Sequence, residues 1–166
     1  MHLSSPFLVS IITTYSMIQR IQSVYLFVVT VLLVVAMCLP VGMYVLPDGS
    51  VATFANWGVC LDEVCNNSVW GMFALLLLSA IVALSTIFLY RNRILQIRMT
   101  VFNCLLLVGY YLTFAAFLVV FGNRLDATFH GKWGVCLPLI CVILNYLAIR
   151  AIGKDEAMVR AADRLR

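Results

Sequence analysis

Four stretches of the chain are apolar almost without interruption, and short polar or charged runs separate them. They are "SVYLFVVTVLLVVAMCLPVGMY" (23–44), "VWGMFALLLLSAIVALSTIFLY" (69–90), "MTVFNCLLLVGYYLTFAAFLVVF" (99–121) and "WGVCLPLICVILNYLAIRAI" (133–152). Each matches the roughly 20 residues that a helix needs to cross a bilayer. Hydrocarbon offers backbone groups no water, so the segments are predicted to be helices. The expected fold is therefore an all-α membrane protein, a bundle of four transmembrane helices. Pro40 and Pro138 each remove a backbone donor, so local distortion is expected late in the first span and one turn into the fourth.

Between the first two spans the pattern changes. "MYVLPDGSVATFANWGVC" reads as a β-hairpin, with extended runs over 43–46 and 51–57 around a Pro47-Asp48-Gly49 turn. A lone hairpin is marginal, and a third strand from 124–133 would complete a small sheet over the helix ends. A four-span chain whose long first outer loop carries W-G-x-C-x4-C is similar, as architecture alone, to the claudin-like arrangement. After Gly153 the stripe Met158, Ala161, Ala162 and Leu165 predicts a short amphipathic helix, with Glu156 and Arg160 spaced to pair. Such a tail lies against lipid headgroups, or docks through Met158, Arg160 and Leu165 onto a protein surface such as the chain's own 91–98 loop.

Residues 1–16 are apolar but too short for a span, and they lack the basic start and small-x-small site of a signal peptide. The expectation is a misassigned leader, with translation starting at Met17 and one domain over 17–166; a short interfacial helix is the alternative.

Composition fits the pattern. The 166 residues are 64% hydrophobic and 11% charged, against about 25% charged in soluble domains, and the mean hydropathy is +1.05. The net charge of +4 is informative only through where the charges fall. Arg20, Arg91, Arg93, Arg98, Arg150, Lys154, Arg160, Arg164 and Arg166 lie on one side of the predicted spans; Arg124 and Lys132 lie on the other. The basic side is the cytoplasmic one. Both termini and the "RNRILQIR" loop are thus expected inside, and residues 46–68 and 122–132 outside. The lipid bilayer is the expected partner, and nothing points to nucleic acid.

"MIQRIQSVYL" (17–26), "IFLYRNRILQIRMTVFNCLLLVGYY" (87–111) and "LAIRAIGKDEAMVRAADRLR" (147–166) resemble the bacterial four-span membrane protein family called domain of unknown function 4293. The resemblance implies four helices in a Gram-negative inner membrane, and it carries over no catalytic residue.

The chemistry on offer is sparse. Cys60 and Cys65 lie in the predicted outer loop, where disulfides persist, and form a candidate bridge. A metal site is not expected, because a closed zinc site needs four ligands at suitable spacing. No cofactor is expected. A thiol oxidoreductase remains an alternative, although neither Cys60/Cys65 nor Cys136/Cys141 has C-x-x-C spacing. No Asp, Glu, Lys or His, and no Arg before the end of the fourth span, lies inside the predicted membrane core, which argues against ion-coupled transport. Thr86, Asn103 and Asn145 each stand five residues from an arginine (Arg91, Arg98, Arg150). They are expected at one depth, roughly 7–8 Å inside the cytoplasmic arginines, with Gln22 and Ser23 approaching the same layer. That layer is either hydrogen-bond glue between helices or a polar pocket. The basic face beside it comprises Arg20, Arg91, Arg93, Arg98 and Arg150. The expected function is a non-enzymatic subunit, scaffold or assembly factor with an unidentified membrane or cytoplasmic protein partner; the alternative is a binder or carrier of a small apolar or lipid-like ligand.

Overall fold

The computed structural model describes residues 23–61, 64–66, 69–89, 92–125 and 127–164. Residues 1–16, Arg20, Gln22, Arg91 and Leu165 lie outside them. In chain order the elements are α1 (Ser23–Cys38), β1 (Gly42–Val45), β2 (Val51–Ala55), β3 (Gly58–Leu61), β4 (Val64–Asn66), α2 (Trp70–Phe88), α3 (Arg93–Leu125), β5 (Thr128–Gly131) and α4 (Cys136–Arg164). A 3₁₀ turn at Trp133–Val135 leads into α4.

The first apolar run does not stay helical to residue 44. Its last helical bond runs from the Leu39 N–H to the Val35 carbonyl, at 3.2 Å. Pro40 then forces the preceding residue toward extended backbone, and the chain enters β1. Pro138 causes no break in α4, because it lies in the first turn, where donors have no intrahelical acceptor. α3 begins at Arg93 rather than 99, so most of the expected "RNRILQIR" loop is helix. The expected separate C-terminal helix is the continuation of α4, which carries Gly153 in its interior.

The structure is mostly helical, but it is not all-α, because it holds a five-stranded antiparallel sheet in the order β4-β3-β2-β1-β5. β1, β2 and β5 are the three strands expected; β3 and β4 form a second hairpin. Between β1 and β2, the Asp48 carboxylate accepts hydrogen bonds from the Ser50 hydroxyl (2.7 Å) and N–H (3.0 Å). Those bonds hold the exposed Asp48 carboxyl below its usual range. Gly49 sits at φ 84°, a conformation that glycine adopts without a Cβ penalty.

Connectivity places the sheet at one end of all four helices. α1 leads into β1, β4 into α2, α3 into β5, and β5 into α4. α1 and α3 therefore run toward the sheet, and α2 and α4 away from it. α2 packs on α3, and α3 on α4, while the Cys141 thiol donates to the Val29 carbonyl at 3.8 Å and marks the α1–α4 contact. The inward face of α2 is rich in small side chains, Ser79, Ala80, Ala83 and Thr86, which lets helices approach closely. Outward faces are oily: Phe88, Leu112 and Leu105 are 73%, 69% and 63% exposed. Water-soluble monomers do not present such continuous apolar surface. Trp70–Phe88, Arg93–Arg124 and Trp133–Lys154 are long and apolar enough to cross a membrane; the described part of α1 is apolar but shorter. These are the features of a membrane protein.

Candidate functional site

Two regions collect the polar chemistry. The first is the junction of sheet and helices. Period-two alternation along β2 turns Ala52 and Phe54 inward, and Asn56 follows them on the same buried face. Its amide nitrogen donates to the Ala36 carbonyl near the end of α1 (2.7 Å). Its amide oxygen accepts the Tyr110 hydroxyl of α3 (2.8 Å). Its backbone carbonyl accepts the Phe73 N–H in the first turn of α2 (3.1 Å). One side chain and its carbonyl thus tie three helices to the sheet. Nearby, the Tyr111 hydroxyl donates to the Val135 carbonyl at 2.6 Å, fixing the turn before α4.

Beneath the strands lies an aromatic cluster. Tyr44 stacks near Phe129 and Phe54, with centroids at 5.2 and 5.7 Å, and Phe54 reaches Phe114 at 6.1 Å and Phe121 at 6.3 Å. Burial pushes the Tyr44 phenol above its ordinary pKa. Around the same end the three tryptophans, Trp57, Trp70 and Trp133, are all exposed, as indoles are where a membrane meets water. Cys60 is disulfide-bonded and stands directly across from Cys65 in the β3–β4 register. The acidic pair Asp62 and Glu63 lies outside the described residues.

The second region is the set of polar groups within the helices. The Ser79 hydroxyl donates to the Asn103 amide oxygen at 2.5 Å, between α2 and α3. Thr86 and Thr100 return their hydroxyls to carbonyls one turn back, on Val82 and Gln96. Asn103 is therefore level with Ser79, about 10 Å along the axis from Thr86 at 1.5 Å per residue, and the two are not brought together. The reason is that Arg98 is already inside α3, so counting from it misplaces the helix end. Asn145 is fully buried, and neither of its amide atoms has a partner among the described residues. Arg93, Arg98 and Arg150 lie at the end of the helices away from the sheet. Met158 and Arg160 fall in the last turns of α4. Among the described residues, no group of three His, Cys, Asp or Glu side chains is placed to hold a metal ion. Cys136 is exposed and Cys141 buried, so that pair occupies two different surroundings.

A family profile described as "Domain of unknown function (DUF4293)" matches residues 18–165. The chain belongs to that family. No curated protein sequence matches it.

Within this DUF4293 chain, sequence reasoning marked the cysteine pair and missed Asn56, the aromatic cluster and the second hairpin. The bridge at Cys60 has a measurable consequence. Joined to Cys65 it closes a ring of six residues, for which chain entropy gives about 2 kcal/mol. Cys60→Ser is expected to lower the melting temperature by about 5 °C, and reductant should lower the parent protein to the same value. An unchanged melt in both would show that the bridge adds no stability to the cap.

Proposed function

We propose that the chain is a non-catalytic, four-span protein of a bacterial inner membrane, acting as a subunit, scaffold or assembly factor for another membrane or cytoplasmic protein. The carrying observation is how the polar side chains are used. Asn56, Tyr110, Tyr111, Ser79, Thr86 and Thr100 all spend their hydrogen bonds on joining or bracing helices. None converges with a nucleophile or base on a shared cavity, the arrangement that catalysis requires. α1 (Ser23–Cys38), apolar but shorter than the other three, is the fourth span in this reading. The partner would hold either the outer sheet or the basic end. Affinity purification from native membranes tests this: a stoichiometric membrane or cytoplasmic protein should co-purify. Catalytic turnover by the purified chain alone, such as quinone-dependent oxidation of thiols, would overturn it.

The orientation has separate support. Arg93, Arg98, Arg150 and Lys154 lie at the end opposite the sheet, and Arg124 and Lys132 at the sheet end. The positive-inside rule then puts the sheet outside and both termini in the cytoplasm. Ser50 and Asn92 sit in turns at opposite ends. With the free cysteines replaced by serine, Ser50→Cys should react with an impermeant maleimide in intact spheroplasts. Asn92→Cys should react only after permeabilisation, and the reverse pattern would invert the topology.

A further inference from the structure

A groove opens between α1 and α4 at the end of the helices away from the sheet. It is lined by Tyr25, Leu147, Arg150, Ala151 and Lys154 and encloses about 330 Å³. The four α4 residues follow the i, i+3, i+4, i+7 spacing of a single helix face. Two of them are cations one turn apart, Leu147 and Ala151 give an apolar wall, and Tyr25 brings a phenol from the facing helix. Neither Arg150 nor Lys154 makes an ion pair with a described side chain, and both are exposed. We infer that this groove binds the phosphate of an anionic phospholipid.

Depth supports the assignment. From Trp133 to Lys154 is 21 helical steps, about 31 Å at 1.5 Å each, against a hydrocarbon core of about 30 Å. With the exposed Trp133 indole at one interface, the Lys154 backbone falls at the opposite edge of the hydrocarbon core and Arg150 one turn inside it, from where both long side chains extend outward to the phosphate level of that leaflet. Basic pockets between spanning helices suit acidic headgroups. A free phosphate would satisfy the charges but leave the Leu147 and Ala151 wall without an apolar occupant; a phospholipid places its glycerol and first methylenes there. The inference rests on the membrane-spanning reading above.

The test is native mass spectrometry of the full-length chain purified in detergent, mixed with phosphatidylglycerol, phosphatidylcholine or inorganic phosphate. Phosphatidylglycerol should remain bound in preference to phosphatidylcholine, and inorganic phosphate should not displace it. Arg150→Gln and Lys154→Gln should each weaken retention about fivefold, and the pair about 25-fold, on the scale of one basic residue near an anionic surface. Arg124→Gln, at the sheet end, should leave it unchanged. Equal retention by the double variant and the parent would overturn the site. Equal retention of the two lipids would overturn its charge selectivity, and displacement by phosphate would assign it to a free anion. If the double variant misfolds, the single variants and Tyr25→Phe, which keeps the ring and removes the donor, carry the same comparison. Failure of the membrane reading is distinguishable: the chain would then be recovered in the soluble fraction without detergent.

Discussion

Asn56→Ala is expected to destabilise the chain by about 3–5 kcal/mol, read as a lowered midpoint of thermal or denaturant unfolding in detergent. Two buried groups lose their partner at once. The Tyr110 hydroxyl, 1% exposed, loses its acceptor. The Ala36 carbonyl, one of the last on α1 and without an intrahelical donor, loses the amide that caps it. Leaving a buried polar group unsatisfied costs about 1–3 kcal/mol each, and a small cavity adds to that. The Phe73 N–H keeps its bond, because that bond is to backbone. Tyr110→Phe should cost about 1 kcal/mol alone. In combination with Asn56→Ala it should cost less than the sum, because the phenylalanine has no hydroxyl left to orphan. A loss under about 1 kcal/mol for Asn56→Ala would mean that the junction is not held by this amide.

The spans were legible because an apolar run of this length needs no periodicity to be recognised, and three of the four helices stand close to where the runs put them. Their limits were less legible, since the chemistry that ends a helix is local. Pro40 stops α1 through its neighbour's backbone, whereas Arg93 and Arg98 are helix formers that let α3 start early. Gly153 costs about 1 kcal/mol relative to alanine in a helix, too little to separate the tail from α4. In the cap, the proline-aspartate-glycine turn announced the β1–β2 hairpin. β3 and β4, of four and three residues, are too short to show alternation. The importance of Asn56 was within reach: alternation from Ala52 and Phe54 places it on the buried face, and a buried amide requires partners. Those partners are 20 and 54 residues distant, and nothing in a single sequence names them. The same holds for Ser79 and Asn103, 24 residues apart.

The cap and the helices share one construction. The polar bonds that cross between elements cluster where the strands meet α1, α2, α3 and the turn before α4. Below that level the helices pack by small residues, with the Ser79–Asn103 bond between α2 and α3. Hydrogen bonds between membrane helices are individually modest, averaging about 0.6 kcal/mol, so positional precision in this protein is set at the sheet end. Substitutions at the junction should then be felt by all four helices, and substitutions on the oily outer faces by none.

Gly134→Ala is the sharpest form of that expectation, a loss of about 3 kcal/mol or more from one methyl group. A Cβ at 134 would run into the Pro40 carbonyl oxygen and stand 3.4 Å from the Val41 Cα. Both obstacles are backbone, and neither is free to retreat. The Val41 N–H bonds to the Phe54 carbonyl at 2.8 Å, and the Val41 carbonyl accepts the Lys132 N–H at 2.9 Å. On the other side, the Tyr111 hydroxyl holds the Val135 carbonyl. Overpacking costs about 1–3 kcal/mol where side chains can adjust, and here the adjustment would have to break the links of the α1–β1 crossing to β2 and to the start of α4. Gly109→Ala in α3 is the matched control, because its added Cβ meets nothing within 4 Å. Alanine exceeds glycine in helix preference by about 1 kcal/mol, so that variant should melt at or above the parent temperature. If both variants melt together, the close approach of Gly134 to Pro40 is not a fixed joint and the cap is not what positions α4. If Gly134→Ala alone collapses, the joint between cap and α4 is the site that sets the register of the helices.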